Sequence, residues 1–244
     1  MNARTALVMG AGDSLGAALA RRFAREGLAV CVARRNADRL APLVERIRAD
    51  GGQAYAFGCD AREEDQVVSL FERIEREVGP LELVVFNIGA NVRFDVRETM
   101  AQKYCKVWEM ACFAGFLTGR EAAKVMAPRG AGTIFFTGAT ASLRGAEGYA
   151  AFSGAKQGLR ALAQSMAREF GKQGLHVVHP VIDGPIDTPF VRERFPDLVA
   201  SRPADGLLAP DDIADTYWML HCQKRSAWTF ELDLRPWLEP VTHF

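Results

Sequence analysis

Short apolar runs alternate with amphipathic stretches along the chain. Ala6, Leu7, Val8 and Met9 form an apolar run that Gly10 stops, as a buried strand would be. Residues 15–26 then carry a helical period: Leu15, Leu19, Ala20 and Phe23 share a face, Arg21, Arg22 and Arg25 lie off it, and Gly27 ends the run. A second strand is predicted over 28–33 and a helix over 37–49, closed by Gly51-Gly52. Tyr55 and Phe57 mark a third strand, and 63–78 reads as a third helix. After Gly79-Pro80 the alternation resumes with a strand at 83–86 and one long helix over 99–126. Then come a strand at 133–137, a helix at 150–170, a strand at 177–182, a helix at 211–220 and a last strand at 228–233.

Apolar strands interleaved with helices predict a parallel sheet covered on both faces, and right-handed crossovers place the helices on either side of it. The expected architecture is a seven-stranded, Rossmann-like, doubly wound α/β sandwich of three layers. No linker or low-complexity run divides residues 1–244, so one domain is expected. Its 30 acidic and 30 basic residues cancel, which gives no electrostatic reason to expect nucleic acid as a partner. Cys31, Cys59, Cys105, Cys112 and Cys222 contain no Cys-x-x-Cys pair and read as reduced thiols. The N-terminal apolar run is too short for a signal segment or a membrane span, so the expected location is cytoplasmic, with no membrane partner. His176, His179, His221 and His243 have no metal-ligand spacing on one helix face, and no metal is expected.

In such a sheet, ligands bind at the carboxyl ends of the strands, where the strand order reverses. The first loop to inspect is therefore Gly10-Ala11-Gly12-Asp13-Ser14-Leu15-Gly16, between the first strand and the first helix. Small residues let the backbone approach a pyrophosphate, and the helix N-terminus offers unpaired N–H groups. Past the second strand stand Arg34 and Arg35. Arginine here accommodates a 2′-phosphate where an acid would bond a ribose 2′-hydroxyl, which favours NADP(H) over NAD(H). A solvated basic turn is the plain alternative, and Asp13 pulls the other way.

Read together, these segments resemble the short-chain dehydrogenase/reductase family over essentially the whole chain. The glycine loop resembles that family's Gly-x-x-x-Gly-x-Gly, with Ser14 for the middle glycine. Cys59-Asp60 sits where the family places an aspartate against the adenine. Phe86-Asn87-Ile88-Gly89 resembles its Asn-Asn-Ala-Gly, keeping Asn87 and Gly89. Asp183-Gly184-Pro185-Ile186-Asp187-Thr188 resembles the segment that clasps the nicotinamide, implying roles for Gly184, Ile186 and Thr188.

The resemblance breaks at the chemistry. The family's Tyr-x-x-x-Lys reads Phe152-Ser153-Gly154-Ala155-Lys156, so the lysine is kept and the phenol is not. The serine position falls on Ala139 and the asparagine position on Cys112. The resemblance implies a divergent subgroup with phenylalanine in the tyrosine position, and Lys156 is expected to bond the nicotinamide ribose. Tyr149 is the candidate substitute donor, against a plain reading as a tyrosine packing the loop before its helix. Thr137 and Thr140 are considered as replacements for the serine hydroxyl, and His179 with Asp183 as a pair on one strand face over the nicotinamide, against the more common case of a packed strand-end histidine. Cys112 reads as core rather than nucleophile.

The expected activity is hydride transfer to or from a carbonyl, alcohol or activated alkene of a small-molecule substrate. A catalytically impaired nucleotide-binding sensor or scaffold is the alternative. Residues 190–208 are the expected lid, with Phe190, Phe195 and Leu198 as an apolar wall. Arg192 and Arg194 are candidates to meet an anionic group, against the plain reading of solvated arginines on a surface loop. The large apolar side chains Trp108, Phe113, Phe116 and Leu117 point to a homodimer or homotetramer.

Overall fold

The computed structural model describes residues 4–240. Its elements follow the alternation in the sequence: β1 (Thr5–Met9), α1 (Leu15–Arg25), β2 (Ala29–Arg34), α2 (Ala41–Ala49), β3 (Gln53–Gly58), α3 (Glu64–Glu77) and β4 (Leu81–Phe86). The second half holds α4 (Ala101–Trp108), α5 (Ala114–Met126), β5 (Gly132–Phe136), β6 (Gly138–Ala139), α6 (Ala150–Phe170) and β7 (Leu175–Ile182). It ends with α7 (Pro189–Arg194), α8 (Pro196–Ala200), α9 (Pro210–His221) and β8 (Glu231–Leu234). The strands run parallel in the order β3-β2-β1-β4-β5-β7, with β8 beside β7. The order reverses between β1 and β4, which puts the crevice at their carboxyl ends.

β6 accounts for the difference between seven expected strands and eight observed. It continues β5 beyond Thr137 and pairs with β7. At the interruption Thr137 donates its N–H to the Phe86 carbonyl at 3.0 Å, while its own carbonyl accepts from Lys156 at 2.8 Å. The break in the strand is thus also a support for the lysine.

Strand alternation sorts the core into two layers. Leu7, Met9, Cys31, Val84, Phe86 and Phe136 face α3, α5 and α6. Ala6, Val8, Val30, Val32, Val85 and Phe135 face α1, α2 and α9. A smaller cluster sits at one end, where Phe152 meets Ala90, Val107, Ala111 and Cys112. Among the described residues no helix is long and apolar enough to cross a membrane.

Two predicted elements need correction. The single helix expected over 99–126 contains a π-helical turn, Glu109–Phe113, between α4 and α5. Such single-turn insertions add a residue to the helix and are frequent at functional sites; Cys112 lies within this one. The segment expected as a lid carries two short helices in its first half: Pro189 and Pro196 each start one, where the missing proline N–H costs nothing.

Candidate functional site

The crevice at the β1–β4 switch is an open cleft of about 590 Å³. Gly10, Gly12, Arg34, Arg35, Asp60, Asn87 and Gly89, all singled out from sequence, line it. Gly10 has φ +87°, and a Cβ there would lie 2.7 Å from Ile88 Cγ1 and 3.1 Å from the Asn87 backbone. Only glycine fits that turn. Asn87 fastens the loop to β4, its N–H donating to the Met9 carbonyl at 2.9 Å and its amide nitrogen to the Gly10 carbonyl at 3.4 Å.

Gly16 packs the start of α1 against the loop, since a Cβ there would lie 2.8 Å from Ala11 Cα. Gly12 has nothing within 4 Å of its would-be Cβ and faces open space. Leu15 is buried at the start of α1, and Ser14 makes no side-chain cap. The first-turn N–H groups of α1 are therefore not satisfied by a cap and suit an anion. A close-packed turn, an uncapped helix start and an open face fit a dinucleotide.

The far end of the cleft is basic. Arg34 and Arg35 are joined by Arg39, from a 3₁₀ turn after β2, and by Arg62. Asp13 is 92% exposed at its side chain and stands 3.9 Å from Arg34, too distant and too solvated to neutralise it. Asp60 is clamped by Arg62, Nε to Oδ1 at 2.9 Å and Nη2 to Oδ2 at 2.6 Å. That bidentate bond lowers the Asp60 carboxyl below its ordinary range. Burial, with help from the Asp60 charge, raises Cys59 to about 11, so its thiol stays protonated. Sequence reasoning missed Arg39 and Arg62. The signals were one short turn after Arg35 and an i, i+2 spacing from Asp60.

The chemistry-bearing positions gather beside this cleft rather than in it. Phe152, one turn before Lys156 on α6, is 6% exposed. Ala139 and Tyr149 pack against the same cluster as Phe152 and Cys112. Tyr149 sits at the N-terminal boundary of α6, half-buried. Lys156 is buried, and its ammonium donates to the Thr137 carbonyl at 2.8 Å and the Ile88 carbonyl at 3.3 Å. Its Nζ lies 5.9 Å from the Phe152 ring centroid. Burial lowers the ammonium to about 8, with Cys112 opposing the shift. Burial likewise raises the Cys112 thiol, against the pull of Lys156.

Several side chains considered from sequence are committed elsewhere. Thr137 Oγ1 pairs with the Tyr217 hydroxyl at 3.0 Å, on the α9 side of the sheet, because the strand breaks between Thr137 and β6 and the two-residue alternation does not carry through. Thr140 donates to Asp183 at 2.6 Å. His179 is fully buried and its Nδ1 bonds Glu231 at 2.8 Å, so it packs the strand rather than facing a ligand. Arg192 is not free for an anion, since it forms a bidentate pair with Asp187 at 2.6 and 2.7 Å. Arg194 lies over the Phe195 ring. His176 bonds the Thr229 carbonyl and stacks on Trp228, and His221 bridges Thr133 and Glu82. His243 lies outside the described residues.

The segment 183–188, expected to clasp the nicotinamide, lies past the end of β7. Gly184 has φ +155° and lies against Pro236, Ile186 bridges to Leu208, and Thr188 caps α7 by accepting from the Val191 N–H. On the outer face of α4 and α5, Trp108, Phe113 and Phe116 stack in series at 5.9 and 6.1 Å, with Trp108 44% and Phe116 40% exposed.

Comparison with known proteins places this geometry. The family model described as short chain dehydrogenase matches residues 4–198. A crystal structure of a short-chain dehydrogenase from Rhodopseudomonas palustris is 48% identical, with a TM-score of 0.84, covering 97% of this chain and 100% of that one. Gluconate 5-dehydrogenase of Gluconobacter oxydans (strain 621H) is 30% identical over 172 residues, 70% of this chain and 67% of that protein. A metagenomic short-chain oxidoreductase solved in complex with NADP shares the fold at 23% identity and a TM-score of 0.81, over 97% of this chain and 98% of that one.

Proposed function

Because this chain belongs to the short-chain dehydrogenase family, whose members are NAD(P)-dependent oxidoreductases, we propose that it transfers hydride between NADP(H) and a small carbonyl or alcohol substrate without the family's usual serine–tyrosine pair. The observation that carries this reading is the cleft itself: a glycine turn at one end and Arg34, Arg35 and Arg39 at the other, with no carboxylate among the described residues closer to Arg34 than Asp13 at 3.9 Å. Three guanidinium groups suit a 2′-phosphate better than a 2′-hydroxyl.

In this reading Gly10, Gly12, Ser14, Leu15 and Gly16 hold the pyrophosphate, and Asp60, oriented by Arg62, meets the adenine. Asn87 and Gly89 border the nicotinamide side, and Gly184, Ile186 and Thr188 clasp it. Lys156 stands on the ribose side with one N–H uncommitted among the described residues, while Asp13 stays in solvent. The bound cofactor supplies or accepts the hydride. The protein's own contribution is position, a dry apolar wall of Phe152, Ala139 and Cys112, and a proton. Self-association through the Trp108–Phe113–Phe116 face completes the reading, with a dimer or tetramer expected by sedimentation at micromolar concentration.

Titration of NADPH and NADH by tryptophan quenching tests the preference. NADPH is expected to bind at least about tenfold more tightly, a difference of about 1.4 kcal/mol, and equal affinities overturn the arginine argument. A parallel screen of carbonyl substrates separates an oxidoreductase from a nucleotide-binding sensor, which would bind NADPH and reduce nothing. That second reading draws on the apolar character of the Phe152 cluster.

A further inference from the structure

Carbonyl reduction needs a proton as well as a hydride, and Phe152 has none to give. Among the nearby alcohols Thr137 pairs with Tyr217, Thr140 donates to Asp183, and Ser142 Oγ accepts from the Ala139 N–H at 3.1 Å, while Ser153 Oγ is buried without a partner among the described residues. A serine or threonine alcohol is a far weaker acid than a phenol or an ammonium and does not replace the phenol. Lys156 differs from them. An ammonium carries three N–H bonds. The Thr137 and Ile88 carbonyls take two, and among the described residues no acceptor takes the third. On the same helix face the neighbour is the Phe152 ring, whose centroid lies 5.9 Å from Nζ and which carries no hydroxyl.

The charged and titratable groups around Lys156 are few. Cys112 faces it from the π turn, and His179 faces it from β7. His179 is held by Glu231, which Arg160, one turn along α6, also binds. Burial, together with the Lys156 and Arg160 charges, keeps His179 below its ordinary range despite Glu231. Among the described residues no carboxylate bonds the Lys156 ammonium, and burial is the main influence on its charge.

The geometry points to Lys156 as the proton donor of carbonyl reduction in this chain, delivering its third N–H to the substrate oxygen. The inference rests on the oxidoreductase reading above. As hydride brings its electron pair to the carbonyl carbon, the C=O π pair moves onto oxygen. That oxygen takes one proton from the ammonium; an N–H bond breaks, an O–H bond forms, and a neutral amine remains. Water returns the proton. In the oxidation direction the neutral amine accepts the alcohol's proton.

The test follows single-turnover reduction of a vicinal dione by NADPH from about pH 6 to about pH 10, beside ¹³C NMR of protein labelled at the lysine ε-carbon and free of cofactor. The reduction rate is expected to hold steady below about pH 7 and to fall roughly tenfold per pH unit above about 8. A lysine resonance absent from Lys156→Met is expected to titrate near about 8. Lys156→Met is expected to lose about 10²–10⁴ in rate. Should that variant not fold, the wild-type pH profile still decides, and the labelled spectrum must still contain one lysine titrating well below the others. Turnover with a flat profile overturns the assignment and leaves the oxidoreductase reading intact. NADPH binding without reduction of any dione at any pH overturns both. Loss of the pH dependence in Tyr149→Phe moves the donor to Tyr149.

Discussion

The two ends of the site follow different rules. From Gly10 to Gly89 the cleft has glycine turns, a helix start and basic side chains suited to a dinucleotide, whereas the cluster of Phe152, Ala139 and Cys112 is apolar. Nucleotide binding here depends on backbone shape, on a helix start and on diffuse positive charge, all of which tolerate many side chains. Proton transfer depends on one atom in one place. Divergence can therefore erase the second while leaving the first in working order. The comparison is sharpest where variants move one end and not the other.

The largest effect is expected at the glycine turn. Gly10→Val places a branched side chain at φ +87° and into Ile88 and the Asn87 backbone. Strain of this kind costs of order 1–3 kcal/mol, and NADPH affinity should fall by more than about 100-fold, or about 2.7 kcal/mol. Gly12→Ala is the contrasting change, since its Cβ meets nothing within 4 Å. It should leave the urea midpoint in place and weaken NADPH by about tenfold, because the added methyl stands only where the pyrophosphate approaches. Equal loss of stability in both variants would show that the loop is a structural turn rather than a phosphate cradle.

The second effect lies at the other end. Phe152→Tyr alone should recover little, because Ala139 supplies no hydroxyl to share the substrate oxygen. Phe152→Tyr with Ala139→Ser should raise single-turnover dione reduction by about 10- to 100-fold over wild type. That gain should exceed the product of the single effects, since groups acting on one oxygen are not additive. Four proteins compared at one pH suffice. A wild type already as fast as the double variant would show that the apolar cluster is not the handicap that the comparison makes it.

The same contrast explains what the sequence disclosed. Period-two runs and helical faces are averages over many residues, so β1, α1, β4 and α6 could be read from pattern alone. The cleft was legible because Gly10, Arg34 and Asn87 lie next to strand ends, where local order implies location. What stayed hidden depends on one-residue shifts. The π turn at Glu109–Phe113 adds one residue to a helix whose apolar period is otherwise continuous, and no composition signal marks it. The break after β5 reverses the expected partner of Thr137, which a strict alternation had grouped with Ala139. Arg39 and Arg62 belong to short turns, and a turn's direction is set by caps such as Asn36 rather than by periodicity.

The smallest expected effect tests whether that break is read correctly. Tyr217 is fully buried, and its hydroxyl has Thr137 Oγ1 as its partner at 3.0 Å. Burial raises the phenol well above its ordinary range, against the Thr137 bond, so it stays neutral and must be satisfied as a hydrogen-bonding group. Thr137→Val keeps the shape and removes the partner, leaving the hydroxyl dry and alone, which should cost about 1–3 kcal/mol in urea unfolding. Tyr217→Phe added to it removes the orphan as well, and the pair should return most of that loss. Because this hydroxyl faces α9 and not the Phe152 cluster, neither change should alter single-turnover reduction by more than about threefold, or about 0.65 kcal/mol of barrier. A Thr137→Val protein of unchanged stability but much slower reduction would place the threonine on the substrate side and make it the missing hydroxyl after all.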